Sequence, residues 1–157
     1  MADVIPVIHN VSSVQRVVDM ARLVYSLGFD KLAVTKAYGG AAQAGIPEAM
    51  RIALRESKTL IVLPDLEDLV RLVEPPQVIL VTHDYAEERL EPQEIAGLLN
   101  GGGLLVFSGS DPDFSTPELR LGRRVYLARA AARIGAIGEA ALILYYLSQP
   151  GGRSGNG

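Results

Sequence analysis

Short apolar runs alternate with segments of helical spacing along almost the whole chain, and this alternation restricts the fold more than any other feature. The first run is Val4 to Ile8, and after it apolar residues recur every three or four positions from Val14 to Tyr25. Further runs typical of strands are found at residues 31–35, 60–63, 78–81, 104–107 and 124–127, separated by helical segments. The pattern predicts an α/β fold with a mostly parallel sheet flanked by helices.

Length and composition agree with one such domain. The chain has 157 residues, of which 48% are hydrophobic and only 6% aromatic, a balance typical of a parallel sheet covered on both faces. We expect a single domain over residues 1–148 and a flexible tail over 149–157, which has no apolar residue to bury. No cysteine is present, so disulfides and thiolate chemistry are excluded. No apolar run approaches the length of a membrane helix, and we expect a cytoplasmic protein that does not bind membranes.

Polar residues collect where the predicted strands end. They are His9-Asn10, Thr35-Lys36, Pro64-Asp65, Thr82-His83-Asp84 and Ser108 to Asp111. In open parallel sheets, ligands bind beyond the carboxyl ends of the strands, so these residues predict a ligand site at that edge. Any one of these pairs can equally be the ordinary polar loop that follows a strand. The five together favour a site.

The last third of the chain has the most specific order of motifs. A buried strand leads into Ser108-Gly109-Ser110-Asp111, a second strand follows, and Arg133-Ile134-Gly135-Ala136 opens an apolar helix that ends near Leu144-Tyr145. This order resembles the C-terminal half of the SpoU-like branch of the SPOUT RNA methyltransferases. His9-Asn10-Val11-Ser12-Ser13, near the start of the chain, looks like the opening motif of that family, so the resemblance covers nearly the whole chain.

The resemblance implies a C-terminal trefoil knot, whose loops hold S-adenosylmethionine mostly through backbone groups. It also implies an RNA substrate and a homodimer that forms through the C-terminal helix. Glycine suits such loops because it lets the backbone approach a ligand closely. The positions that match the cofactor loops are Thr82, Gly109, Ser110, Leu127, Ile134, Gly135 and Gly138. No residue is assigned to a metal site.

The chain departs from the family on the catalytic side. Asp19 stands where SpoU-like enzymes have a substrate-binding arginine, and Gly135 replaces the asparagine of the last motif. We therefore expect Arg16, one turn before Asp19, His9 and Asn10 to form the catalytic side of the site. Arg16 would clamp a phosphate, His9 would act as a hydrogen-bonding group or base, and Asn10 would contact the substrate. The alternative for His9 is an ordinary polar residue at the end of a strand, paired within the protein. Glu139 can bind a ligand amine or simply complement the dipole of the last helix.

Charge is unevenly distributed along the sequence. Twelve acidic residues lie between Asp65 and Glu118, whereas the next stretch contains arginines and no acid. These arginines predict a phosphate-binding patch for RNA, and the alternative is a solvated or ion-paired surface. They are Arg120, Arg123, Arg124, Arg129 and Arg133.

Two other functions compete with RNA methylation. One is a knotted dimer that binds RNA or a nucleotide without turnover, which the changes at the catalytic positions favour. The other is a metal-dependent nuclease of RecB type, in which Asp65, Asp84 and Asp111 would hold magnesium. RecB-type nucleases pair an aspartate with a Glu-x-Lys motif on a following strand, and the predicted strands contain none. The segment Gly39 to Gly45 is interpreted as an insertion, either a mobile substrate loop or a flexible connection.

Overall fold

A computed structural model describes residues 3–149, which form one seven-stranded sheet with helices on both faces. The strands are β1 Val4–Val11, β2 Lys31–Ala37, β3 Thr59–Leu63, β4 Val78–Val81, β5 Glu88–Leu90, β6 Gly103–Ser108 and β7 Arg123–Leu127. The helices are α1 Val14–Ser26, α2 Ile46–Glu56, α3 Leu66–Val73, α4 Pro92–Gly97, α5 Thr116–Leu119 and α6 Ala136–Ser148. The predicted α/β class is confirmed. Most of the predicted tail, residues 150–157, lies outside the described residues.

The strand order is β3-β2-β1-β6-β4-β7-β5, and every pairing is parallel. The strands β2 and β3 therefore lie on one side of β1, and the strands from β4 to β7 form the half of the sheet on its other side. The two halves meet between β1 and β6, and nearly every residue of these two strands is buried. At such a switch point the loops that follow the two strands diverge and leave a crevice for ligands.

Alternate residues of the strands point into two separate cores. On one face, residues such as Ile8 and Phe107 pack against α1, α2, α4 and α6. On the other face, residues such as Val7 and Val106 pack against α3 and the segment around α5. This period-two alternation explains why the strands appear as continuous apolar runs, because both faces are covered. No helix within residues 3–149 is long and apolar enough to cross a membrane.

Residues 39–45 do not form the predicted loop. Ala41–Gly45 is a turn of π-helix that runs directly into α2. Its small residues lie against α1, since a Cβ at Gly45 would come within 3.2 Å of the Val17 Cβ. The segment is thus the close-packed beginning of a helix, and the interpretation of Gly39 to Gly45 as a mobile loop or a flexible connection is wrong.

Candidate ligand site at the carboxyl edge

The loops that follow β4, β6 and β7 converge at the carboxyl edge of the sheet, beside the loop that follows β1. A cleft of about 240 Å³ opens between them, which we call the first cleft. It is lined by Arg16, Ser108, Gly109, Ser110, Asp111, Arg133, Ile134, Gly135 and Ala136. Four residues predicted for the cofactor loops, Gly109, Ser110, Ile134 and Gly135, therefore line one cavity together with Arg16.

Two arginines fix the walls of the first cleft. Arg16, on α1, donates from Nη1 to the Gly109 carbonyl at 3.0 Å. Arg133 donates from Nη2 to the carbonyls of Ser108 and Ser110, at 3.2 and 3.1 Å, and pairs with the Asp111 carboxylate. The loops after β6 and β7 are therefore tied together by charge-assisted hydrogen bonds, which are stronger than neutral ones.

A second cleft of about 250 Å³ lies on the other side of the loop after β7. It is lined by Glu91, Pro92, Leu127, Ala128, Arg129, Ala130, Ile134 and Leu142, and most of its surface is apolar. Ile134 lines both clefts and is 48% exposed. A ligand with one polar and one apolar part can therefore lie across Ile134 and occupy both cavities.

A buried pair of side chains supports the segment between the two clefts. The Tyr126 hydroxyl, on β7, donates to Glu139 Oε2 on α6 at 2.6 Å and accepts the Ile134 N–H at 2.7 Å. The Gly135 N–H donates to the same Glu139 oxygen at 3.2 Å. Burial raises the pKa of Glu139 above its usual value and opposes the hydrogen bonds from Tyr126 and Gly135, which lower it. The pKa of Tyr126 is raised by burial and by Glu139.

Tyr126 was not predicted as a site residue, and Glu139 was expected only to bind an amine or to complement the helix dipole. The available signal was an acidic residue on the first turn of an otherwise apolar helix. A carboxylate at the start of a buried helix needs hydrogen-bond donors inside the protein. In the apolar strand before this helix, the tyrosine hydroxyl is such a donor.

The glycines at the site have different structural roles. Gly135 has a φ of +104°, and a Cβ there would meet no atom within 4 Å, so its backbone borders open space. In contrast, a Cβ at Gly109 would lie 2.8 Å from the Val11 Cβ, and one at Gly138 would lie 2.6 Å from the Ile134 Cγ2. Gly109 is therefore required by packing against β1, a side chain at Gly138 would force the half-exposed Ile134 side chain to move, and Gly135 leaves room for a ligand.

Thr82, predicted as a cofactor contact, is buried and already paired. Its hydroxyl donates to Asp113 Oδ2 at 2.5 Å, while Asp113 Oδ1 accepts the Phe114 N–H at 2.8 Å. Thr82 thus connects the loop after β4 to the loop after β6. Leu127 is 4% exposed and forms the end of β7, at the floor of the second cleft.

His9 is separated from Arg16 by the sheet. His9 faces the α3 side, where it is fully buried, stacks on Phe114 and shares a 2.8 Å hydrogen bond between its Nδ1 and Thr35 Oγ1. Its Nε2 lies 2.9 Å from Glu118 Oε2, but the two atoms are poorly aligned for a hydrogen bond. Asn10 donates to the Pro112 carbonyl at 3.0 Å. In this structure His9 does not reach the surface, so a substrate cannot touch it without a rearrangement.

Most of the arginines predicted to bind RNA are paired with acids of the same chain. Arg123 binds Glu88 through two nitrogens, at 2.5 and 2.7 Å, and Arg124 lies 2.6 Å from Glu87. Arg129 pairs with Glu91 at 3.1 Å, and Arg133 pairs with Asp111 as described above. Arg120 has no carboxylate partner within residues 3–149. The surface is therefore a mixed-charge one, and RNA binding by these arginines stays a prediction.

Comparison with known proteins assigns the chain to a family. Residues 39–146 match the sequence profile of the family described as RecB-family nuclease (DUF2122). The chain belongs to this family. One relative, the Aeropyrum pernix protein named "Putative type II restriction enzyme ApeKORF2002P", is 56% identical over 150 residues, which cover 96% of each chain. The Methanocaldococcus jannaschii protein named "Putative type II restriction enzyme MjaORF1200P" is 29% identical over 90% of this chain and 94% of its own length.

Several solved structures with a similar fold are described as methyltransferases. The SpoU methyltransferase AviRb from Streptomyces viridochromogenes has a TM-score of 0.70 at 18% identity, over 92% of this chain and 58% of AviRb. A probable methyltransferase from Bordetella pertussis Tohama I has a TM-score of 0.69 at 18% identity, with 94% and 95% of the two chains covered. TrmJ from Z. mobilis ZM4 reaches 0.71 at 16% identity, over 94% and 69%. This DUF2122 protein thus has a SPOUT-like fold, as the sequence motifs predicted, while the trefoil knot itself stays a prediction.

The acidic residues of this DUF2122 protein are not arranged as a nuclease metal site. Within residues 3–149 no three His, Asp or Glu side chains are grouped so that they can hold a metal ion. Asp65 and Asp84 follow β3 and β4, which are four strands apart, or roughly 19 Å at the usual strand spacing. Magnesium needs its oxygen ligands at about 2 Å, so these carboxylates cannot share one ion.

The chain does contain one Glu-x-Lys sequence, Glu56-Ser57-Lys58, which precedes the third strand. The structure places it at the end of α2 and in the turn before β3. It therefore lies at the amino edge of the sheet, and the aspartates lie at the carboxyl edge, roughly 16 Å away along a five-residue strand. Lys58 is occupied by an ion pair with Asp30 at 3.3 Å. The family is described as a nuclease family, whereas the carboxylates and the lysine that such a metal site would use lie apart in this chain.

Proposed function

We propose that this protein binds S-adenosylmethionine at the carboxyl edge of the sheet and transfers its methyl group to RNA. The observation that carries the proposal is the pair of clefts that share Ile134, one polar and one mostly apolar, between loops of a SPOUT-like fold. S-adenosylmethionine has an apolar-faced adenosine and a charged methionine part, which suit two such cavities. One of the solved SpoU structures, that of AviRb, is a complex with this cofactor.

The residues around Ile134 fit the cofactor on geometric grounds. Gly135 borders open space, so its backbone can contact a ligand without a side chain in the way. The Ile134 side chain is half exposed, and its N–H is held by Tyr126, so the segment is fixed before a ligand arrives. Such preorganisation lowers the entropy cost of binding. When bound, S-adenosylmethionine supplies a methyl group on a cationic sulfur.

Arg16 is the residue that we propose to bind the RNA. Its guanidinium makes one hydrogen bond to the Gly109 carbonyl and no ion pair within residues 3–149, so most of its donors remain available in the first cleft. A planar guanidinium binds a phosphate in a bidentate manner. Asp19, which occupies the usual arginine position, instead accepts a hydrogen bond from Gln15 at 2.8 Å. Arg16, one helical turn before Asp19, thus supplies the positive charge that the arginine of SpoU-like enzymes supplies at the position of Asp19.

Two alternatives remain distinct from this proposal. The family description and the names of the relatives favour a nuclease, whereas the carboxylates of this chain do not form a magnesium site. The replacement of the motif asparagine by Gly135 favours a protein that binds RNA without methylating it. Magnesium-dependent cleavage of plasmid DNA by the purified protein would support the first alternative. Cofactor and RNA binding without methyl transfer would support the second.

The decisive experiment is a calorimetric titration with S-adenosylmethionine and S-adenosylhomocysteine. We expect micromolar binding, reduced about tenfold by Ile134→Ala, because the side chain contacts both parts of the ligand and loses apolar area. Leu72→Ala is the matched control, since Leu72 is 64% exposed on α3, far from the site. A wild-type protein that binds neither compound at millimolar concentration would overturn the proposal. A substitution of Gly109 is unsuitable here, because a larger residue would collide with Val11.

A further inference from the structure

Glu139 has one carboxylate oxygen that accepts no hydrogen bond from the part of the chain that the structure describes. Both hydrogen bonds that the side chain accepts, from the Tyr126 hydroxyl and the Gly135 N–H, go to Oε2. Within residues 3–149, Oε1 accepts none, although the residue is only 2% exposed. A buried carboxylate normally has all its oxygens paired, because an unpaired one costs desolvation free energy.

The free oxygen is not sealed inside the protein. The one side-chain nitrogen or oxygen in the described residues that is both shut off from solvent and without a hydrogen bond is His9 Nε2, so Glu139 Oε1 keeps some contact with solvent. Gly135, whose N–H binds the same carboxylate, lines the first cleft, and Ile134 lines both. The carboxylate therefore contacts the backbone of Ile134-Gly135 from the protein interior, and a ligand in either cleft would contact the same segment from outside.

The groups around Glu139 do not cancel its charge. Tyr126, on β7, donates a hydrogen bond to the carboxylate but carries no charge. The positive charge of Arg133, in the loop after β7, lowers the pKa of Glu139, and the negative charge of Asp113, in the loop after β6, raises it. The Arg133 guanidinium is itself committed to the Asp111 carboxylate and to two carbonyls. A cation that entered the cleft would thus find a negative charge in a medium of low dielectric constant, where attraction is strong.

We propose that Glu139, which Tyr126 holds in place, determines the specificity of the site. Its negative charge makes the site prefer the cationic sulfonium of S-adenosylmethionine over the neutral thioether of S-adenosylhomocysteine. This inference rests on the proposed function, because it assigns a role within the same clefts. It has a direct consequence for turnover. Transfer of the methyl group converts the sulfonium into a thioether, so the attraction to Glu139 is lost at that moment and the product is released more easily.

The test compares both ligands by calorimetry in the wild-type protein, in Glu139→Gln and in Glu48→Gln. Glutamine keeps the size of the side chain and removes the charge. Glu48 is a surface residue of α2 that pairs with Arg51, so its change alters the net charge equally at a remote place. We expect Glu139→Gln to weaken S-adenosylmethionine binding about tenfold and S-adenosylhomocysteine binding less than about threefold. Glu48→Gln should leave both affinities unchanged.

A pH series separates an electrostatic role from a structural one. Burial raises the pKa of Glu139, so the group gains a proton as the pH falls and loses its attraction for a sulfonium. The preference of the wild-type protein for S-adenosylmethionine should therefore decrease at acidic pH, whereas that of Glu139→Gln should stay constant.

Three results would overturn the inference, and they differ from one another. An equal loss of both affinities in Glu139→Gln would mean that the residue only supports the loop. Unchanged affinities would mean that the carboxylate faces no ligand. A wild-type protein that binds neither compound would remove the proposed function and this inference together, whereas the first two results leave the proposed function intact.

Discussion

His9 shows how burial changes the charge of a single residue. Its ring is fully enclosed between Thr35, Phe114 and Glu118. Burial lowers the pKa of His9 below 6.5, and the nearby Glu118 carboxylate only partly opposes this effect. Between 6.5 and the lower pKa of the folded state, the unfolded chain therefore binds more protons than the folded chain. Stability must decrease as the pH falls through that window.

We expect the free energy of unfolding of the wild-type protein to decrease below pH 6.5, and that of His9→Gln to decrease less. Glutamine can still bond to Thr35 but cannot be protonated. At pH 7.5 the variant should be less stable by about 1–3 kcal/mol, because it loses the stacking on Phe114 and part of the packing. Urea unfolding at pH 5, 6 and 7.5 measures this, with His83→Gln, at a partly exposed histidine, as the control. Identical pH slopes for the wild-type protein and His9→Gln would contradict it.

At the scale of elements, α6 has an apolar face that residues 3–149 leave exposed. The sequence predicts a helix buried on most sides, and Ile143, Leu144 and Leu147 are indeed fully buried. Tyr145, however, is 57% exposed and Leu142 45%. Exposed aromatic and aliphatic side chains on one helix face are typical of a protein interface. This exposure agrees with the homodimer that the sequence motifs imply, which stays a proposal.

We expect Tyr145→Glu to convert a dimer into a monomer, because two buried carboxylates would face each other across a two-fold interface. Sedimentation analysis at micromolar concentrations measures the change. Leu54→Glu is the control, since Leu54 is 71% exposed on α2 and away from α6. A wild-type protein that is already monomeric, or a Tyr145→Glu variant that remains dimeric, would place the interface elsewhere or remove it.

Across the whole molecule, the acidic middle and the arginine-rich end of the chain neutralise each other. The two stretches are about 35 residues apart in sequence, and the parallel pairing of β5 with β7 brings them side by side. Glu87 and Glu88 thereby face Arg124 and Arg123. These pairs are at the surface, so each contributes little to stability and their main effect is on the charge that a partner meets.

We expect the double variant Glu87→Gln, Glu88→Gln to bind RNA more tightly than the wild-type protein and with a steeper salt dependence. Removal of the two acids leaves Arg123 and Arg124 free to contact phosphates and to release counterions. Fluorescence anisotropy with a structured RNA between 50 and 300 mM salt measures both quantities. The double variant Glu48→Gln, Glu67→Gln, which removes the same number of charges and frees Arg51 and Arg71 on α2 and α3, is the matched control. An equal gain in both proteins would reflect net charge alone and exclude this surface as the RNA site.

Much of the fold was predictable because its signals are local. The short apolar runs predicted six of the seven strands, and the helical spacing predicted the first helix, whose N-cap is Ser13. The strand β5 was missed because two of its three residues, Glu88 and Arg89, carry charges, and because its pairing with β7 is a contact between residues distant in sequence. The π-helical turn was missed because its glycines indicate a loop unless the packing against α1 is known.

By itself, the sequence determined the α/β class, the ends of the strands and the polar residues that follow them, since these depend on neighbours within a few positions. Only the tertiary structure decided which of those residues meet. It placed Arg16 and Gly135 on one cleft, sent His9 to the opposite face, and joined Tyr126 to Glu139. The physical reason is that strand order and side-chain direction fix these distances, and strand order results from packing over the whole sheet rather than from any local pattern.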